Sequence, residues 1–109
     1  MTKGDEERFA LRQMLRDEPA LLAFVSSARW VSIEREDTVV GFLTTIRFDR
    51  PLPPTELGAW DWNFEHTSLS HGGSFTCFRD GEDALFVEGV VFADREWPPF
   101  DPEAFEALD

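Results

Sequence analysis

Trp60-Asp61-Trp62-Asn63-Phe64-Glu65-His66-Thr67 alternates without a break between a ring and a smaller polar side chain. Successive side chains of a strand point to opposite faces, so this period of two predicts a half-buried strand. Trp60, Trp62, Phe64 and His66 belong to one face, and Asp61, Asn63, Glu65 and Thr67 to the other. The same period recurs on both sides. Downstream, a Ser/Thr/His/Gly loop over 67–73 leads to a strand at Ser74–Arg79, a turn at Asp80-Gly81-Glu82-Asp83, and a strand at Ala84–Ala93. Upstream, Trp30–Arg35 and Val39–Phe48 pair as a hairpin across the Glu36-Asp37 turn, with Val40, Phe42, Thr44, Ile46 and Phe48 sharing a face. Between the hairpin and Trp60 stands Asp49-Arg-Pro-Leu-Pro-Pro, whose prolines lack the N–H a central strand must donate. That segment reads as an extended surface connection.

Ahead of the strands the period changes to helical. Residues 5–17 place Leu11, Met14 and Leu15 on one stripe, with Phe9 near its edge. Pro19, after Asp17-Glu18, is welcome at a first helical position, so a second helix, or a kinked continuation of the first, runs from Pro19 to about Ala28 on Leu21, Phe24, Val25 and Ala28. At the other end, Asp101-Pro102-Glu103 offers a cap, a first-position proline and an early acid, which predicts a short terminal helix using Phe105 and Leu108. The expectation is a single α+β domain over residues 1–109. Two N-terminal helices pack on a five-stranded antiparallel meander sheet, and a short C-terminal helix closes the chain.

The chain of 109 residues carries 22 acids against 10 Lys and Arg, a net charge of −12. Binding to polyanions rests on clustered cations, so this balance argues against nucleic acid and anionic membrane as partners and favours a basic protein. Residues 80–109 alone hold ten acids and only Arg95 as a cation. Glu82, Asp83, Asp94 and Glu96 are therefore the candidate partner-facing acids. Cys77 is the only cysteine, the N-terminus lacks an apolar leader stretch, and no apolar run approaches membrane-spanning length, which points to a reducing cytoplasm.

Candidate chemistry is sparse. His66, His71 and Cys77 are residue types that suit zinc, yet H-x4-H-x5-C matches no standard site and a fourth ligand is not evident. No motif frames Ser68, Ser70 or Ser74 as a nucleophile, and His71-Gly72-Gly73-Ser74 runs into a strand, where a phosphate loop needs a helix N-terminus. No catalytic set, metal site or cofactor is expected. Glu88 is the sharpest anomaly, because alternation places it with Phe86, Val90 and Phe92 on an apolar face. A buried carboxylate is costly unless paired. Either Arg47, Arg79 or a backbone donor satisfies it, with a bulge at Gly89 turning it outward, or it lines a pocket with His66 and His71. The Trp60/Trp62/Phe64 row forms a core face, or a homodimer interface if the helices cover the opposite side. Trp97-Pro98-Pro99-Phe100 reads either as a docking segment or as a tail that plugs the edge of the core.

The order Val40-Gly41-Phe42-Leu43-Thr44-Thr45, His71-Gly72-Gly73-Ser74-Phe75, Val87-Glu88-Gly89 and Trp97-Pro98 resembles a group of short, uncharacterised bacterial proteins. Their landmarks are a G-F-x-T-T strand, an H-G-x-G-F hairpin, an L-E-G strand and a closing W-P. The likeness spans about residues 39–99, with Ser74 in place of glycine and Val87 in place of leucine. It implies a shared fold and no activity. The functional expectation is a small acidic, non-catalytic binding protein for a basic partner, in the manner of inhibitor or immunity proteins. The alternative is a ligand-binding or hydrolytic domain with a pocket at Glu88, His66 and His71, with Trp97 as a further binding candidate.

Overall fold

The computed structural model describes residues 3–92 and 96–108. Helices α1 (Asp5–Met14) and α2 (Pro19–Ser27) precede strands β1 (Trp30–Thr38), β2 (Gly41–Phe48), β3 (Ala59–His66), β4 (Gly73–Arg79) and β5 (Ala84–Val91), and a sixth strand, β6 (Phe105–Ala107), ends the chain. The α+β class and the antiparallel pairing are as the sequence predicts. The strand count and the terminal element differ. Asp101 does cap, its side chain accepting from the Glu103 N–H at 3.1 Å, but the cap opens only a 3-10 turn over Pro102–Ala104. Phe105 then extends and pairs with His66 along the free edge of β3. A short helix would have left that edge bare.

The strand order is β1-β2-β5-β4-β3-β6, which is not a meander. After β2 the chain leaves its neighbour and returns at the far side, so β2 lies beside β5 in a Greek-key arrangement. The proline-rich connection makes this possible. It crosses the ends of β5 and β4 and is pinned there: the Leu52 N–H donates to the Glu82 carbonyl at 2.8 Å, and Arg79 Nη1 to the Pro53 carbonyl at 2.6 Å.

Both helices cover one face of the sheet. Leu11, Met14, Leu15, Leu21, Phe24 and Val25 meet Phe42, Ile46, Phe48, Trp60, Trp62, Phe64, Phe75, Leu85 and Val87 in one continuous core. The Trp60/Trp62/Phe64 row is therefore buried beneath helices and is closed to a second copy. Across the sheet, Phe42, Gly89, Phe75 and Trp62 stand in a row, and Gly89 leaves a gap in it. Trp97 fills that gap from above. A methyl group on Gly89 would come within 2.5 Å of the Phe42 ring and 2.9 Å of the Trp97 indole. The Trp97-Pro98 segment is thus a plug of the core edge.

Candidate functional site

Among the described residues no helix or further strand is layered over the opposite face of the sheet, and the register of the strands says what it displays. Glu36, Leu43, Glu88, Thr76 and Asp61 lie side by side across β1, β2, β5, β4 and β3. The adjacent row is Glu34, Thr45, Phe86, Phe78 and Ala59. Phe78 and Phe86 stack with centroids 4.9 Å apart, and Phe78 remains 44% exposed. Half-buried Leu43 and Val90 extend this apolar centre, and Glu65 and Glu106 face each other at the β3–β6 edge. Among the described strand residues, six carboxylates share this face with Arg47 alone, and Arg47 leans toward Asp83 at 3.5 Å. The result is a wet sheet face with an aromatic centre and acidic margins.

This arrangement resolves the Glu88 anomaly. Glu88 does share a face with Phe86 and Val90, but that face is the uncovered one, and Thr76 Oγ1 donates to Glu88 Oε1 at 3.5 Å. The pairing runs through Gly89 without a register shift, so no bulge turns Glu88 outward. Neither proposed cation reaches it, since Arg79 lies on the covered side with Pro53 and Thr55.

The buried face holds a polar group that sequence reasoning passed over. Glu7, only 1% exposed, accepts from Thr44 Oγ1 at 2.6 Å and from Arg35 Nη1 at 3.1 Å through its Oε2. Arg35 Nη2 donates to Glu6 Oε1 at 2.9 Å and its Nε to Asp37 at 2.7 Å, while its guanidinium lies over the Phe42 ring. Glu6 Oε2 in turn accepts from Trp97 Nε1 at 2.9 Å. Burial raises the Glu6 carboxyl above its ordinary range, against the hydrogen bonds from Arg35 and Trp97 that lower it. Burial also works against the charge on Arg35, but its carboxylate partners outweigh that and hold it above its usual value. The knot ties the start of α1, the edge strand β1, β2 and the C-terminal plug together. Phe42, Thr44, Gly89 and Trp97, scattered through the motifs of the sequence, meet in or beside it.

Comparison with protein-family models, curated proteins and solved structures finds no match. The reading of the site therefore rests on its own chemistry.

The remaining candidates do not converge. His66 is on the covered face, Glu88 on the open one, and His71 is exposed in the β3–β4 loop. Cys77 pairs with Trp60, six residues along β3 from His66, which sets them roughly 20 Å apart at about 3.3 Å per residue. Burial pushes the Cys77 thiol up to about 12, so it stays protonated and behaves as a small apolar group. His66 Nδ1 accepts from the Ser68 N–H at 3.0 Å, which places the ring proton on Nε2. No group of three or more His, Cys, Asp or Glu among the described residues could hold a metal ion. Glu82 is exposed at the β4–β5 turn, Asp83 is turned to Arg47, and Glu96 is exposed beside Trp97. Asp94 lies outside the described residues. No helix of the described residues is long and apolar enough to cross a membrane.

His66 supplies a pH prediction. Burial lowers its pKa from the ordinary 6.5, with Asp101 pulling weakly the other way. Below 6.5 the unfolded chain binds the proton before the folded one, so this contribution is present above 6.5 and is lost as the pH falls through the folded value. Thermal melts across that range should show the loss in the parent protein. In His66→Asn, which keeps an acceptor for Ser68, the limb should flatten. An unchanged slope would mean that the ring does not titrate in the fold.

Proposed function

We propose that this protein is a non-catalytic docking module whose uncovered sheet face binds a basic polypeptide carrying an apolar anchor. The observation that carries this reading is the composition of that face. An aromatic and aliphatic centre built from Phe78, Phe86, Leu43 and Val90 is flanked by Glu34, Glu36, Asp61, Glu65, Glu88 and Glu106. Apolar area supplies affinity at the middle of an interface, and charge at its rim supplies orientation and on-rate. A solvated face needed only for solubility has no use for stacked, half-exposed phenyl rings. Six carboxylates with one cation among the described strand residues disfavour another copy of the same face, because like charges would meet. They match lysine and arginine. The covered face offers no such surface, and the dispersal of Glu88, His66 and His71 removes the support for a hydrolytic pocket at those residues.

A short peptide with phenylalanine set among lysines and arginines serves as the probe. Titrated into 15N-labelled protein, it should shift the amides of Leu43, Thr76, Phe78, Phe86 and Glu88, and binding should weaken steeply with added salt. Glu88→Lys should lower affinity about tenfold or more by placing a cation at the centre of the row. Shifts centred instead on Glu82 and Glu96, or shifts insensitive to Glu88→Lys, would assign the acidity to another surface or to solubility alone.

A further inference from the structure

In a chain with more than twice as many acids as cations, one concavity is lined by three arginines and no carboxylate. Arg8 and Arg12 of α1, Arg29 just after α2, Ser26 and Trp30 surround a pocket of about 360 Å³ floored by Leu22, Val25 and Ala28. It lies in the helix layer, on the side of the molecule opposite the open sheet face. None of the three guanidiniums has a carboxylate partner among the described residues, whereas Arg35, Arg47 and Arg50 all do.

Their placement opposes what stability alone favours. Arg8 and Arg12 are an i,i+4 pair of like charges on one helix, an arrangement that destabilises by itself, and Arg29 adds a third positive charge to the same pocket. Arg8 is also held in position. Its guanidinium lies 4.0 Å over the Trp30 ring, its Nη1 donates to the Lys3 carbonyl at 3.5 Å, and Gly4 gives it room, since a methyl there would approach Nη1 to 2.7 Å. Trp30 is anchored in turn by its Nε1, which donates to the Val25 carbonyl at 3.1 Å. The volume falls within the usual range of small-ligand pockets, and an apolar floor with a few convergent polar groups is their usual character.

We infer that this pocket binds a small organic phosphate monoester, its phosphoryl oxygens on Arg8, Arg12 and Arg29 and its apolar body on Leu22, Val25 and Trp30. A carboxylate is matched by one guanidinium fork. Three guanidiniums without counter-charge match the nearly double charge and three acceptor oxygens of a phosphate. The site is independent of the docking face, and its test reads different residues.

Phenyl phosphate is the probe. Added to 15N-labelled protein in near-neutral buffer, it should produce saturable shifts at the Trp30 indole N–H and at the side-chain N–H groups of Arg8, Arg12 and Arg29. Inorganic phosphate should bind the same residues more weakly, because it leaves the apolar floor unused, and benzyl alcohol should not bind. Arg12→Gln and Arg29→Gln alter exposed side chains, so the fold should persist, and each should weaken phenyl phosphate about tenfold. Equal binding of benzyl alcohol would make the pocket merely apolar. Affinity unchanged in both variants, or shifts without saturation, would overturn the proposal, and the open-face reading would stand or fall separately on the amides of β2, β4 and β5.

Discussion

Arg35→Ala is expected to destabilise the fold by about 3–5 kcal/mol, the range for breaking a buried ion pair from one side. The residue is at a strand edge, where substitutions usually cost little, so the size of the effect comes from what the guanidinium holds. Without it, Glu7 keeps only the Thr44 hydroxyl and Glu6 only the Trp97 indole, and both carboxylates remain in place under α1. The loss should also depend on pH with a definite sign. Removing the cation takes away the hydrogen bond and charge that hold the Glu6 carboxyl down, so its folded-state pKa rises further above the unfolded 4.5. The folded protein then binds protons first, so the deficit is largest at neutral pH and shrinks as the pH falls toward 4.5. Urea melts of parent and variant at several pH values would read this directly. A deficit of the same size at every pH would mean that lost packing on Phe42 matters and the charges do not. Arg35→Lys should recover only part of the stability, because an ammonium lacks the planar fork that reaches Glu6, Glu7 and Asp37 together.

How much of this was readable beforehand depended on whether a residue's partner was near it in sequence. The alternation at Trp60–His66 located β3 almost to the residue, and the prolines after Phe48 located the connection, because both signals are local. The knot was missed for the opposite reason. Adjacent glutamates at the start of a charged helix are unremarkable, because the helix dipole favours acids there, and Arg35 is read only as the last residue of a strand before the Glu36-Asp37 turn. The signal was nonetheless present. Glu7 falls on the i, i+4, i+7 stripe of Leu11 and Met14, and Arg35 has the parity of Ile33 on a strand whose partner presents Thr44 and Ile46 to the core. A charge on each of two buried faces is a reason to suspect that they meet.

Glu88 shows the limit of alternation itself. In Leu85-Phe-Val-Glu-Gly-Val-Val both parities are apolar, so the period tells which residues share a face and nothing about which face is covered. Helix placement decides that, and it decided for Leu85, Val87 and Val91. The same gap hid the open face, since its rows are assembled from five strands and no one strand displays them. The sixth strand was concealed by a cap signal that is real but opens only a 3-10 turn, while β3 offered Phe105 an unpaired edge.

Phe75→Ala should carry the other large loss, about 3–5 kcal/mol, enough to consume much of the ~5–15 kcal/mol stability of an ordinary domain. Phe75 is fully buried and touches the ring systems of Phe9, Phe42, Trp62, Phe64, Trp97 and Phe105, the first from α1 and the last two from the C-terminal segment. The cavity left behind has little means of collapsing. Below it is the sheet backbone, and beside it Gly89 already leaves a gap that Trp97 fills, so the neighbours that could move inward are the ones holding the tail down. Detachment of the Trp97 plug should therefore accompany the loss, seen as a faster amide exchange at Trp97 and Phe105 than in β2 or β5. Phe75→Leu should cost about 1–2 kcal/mol and keep the plug seated. The control is Phe78→Ala, three residues along the same strand and on its other face. Its ring is nearly half exposed and, among the described residues, stacks on Phe86 alone, so about 1 kcal/mol or less should be lost. Similar losses at the two positions would mean that the open face is covered in solution, and the uncovered surface on which docking is proposed would not be there.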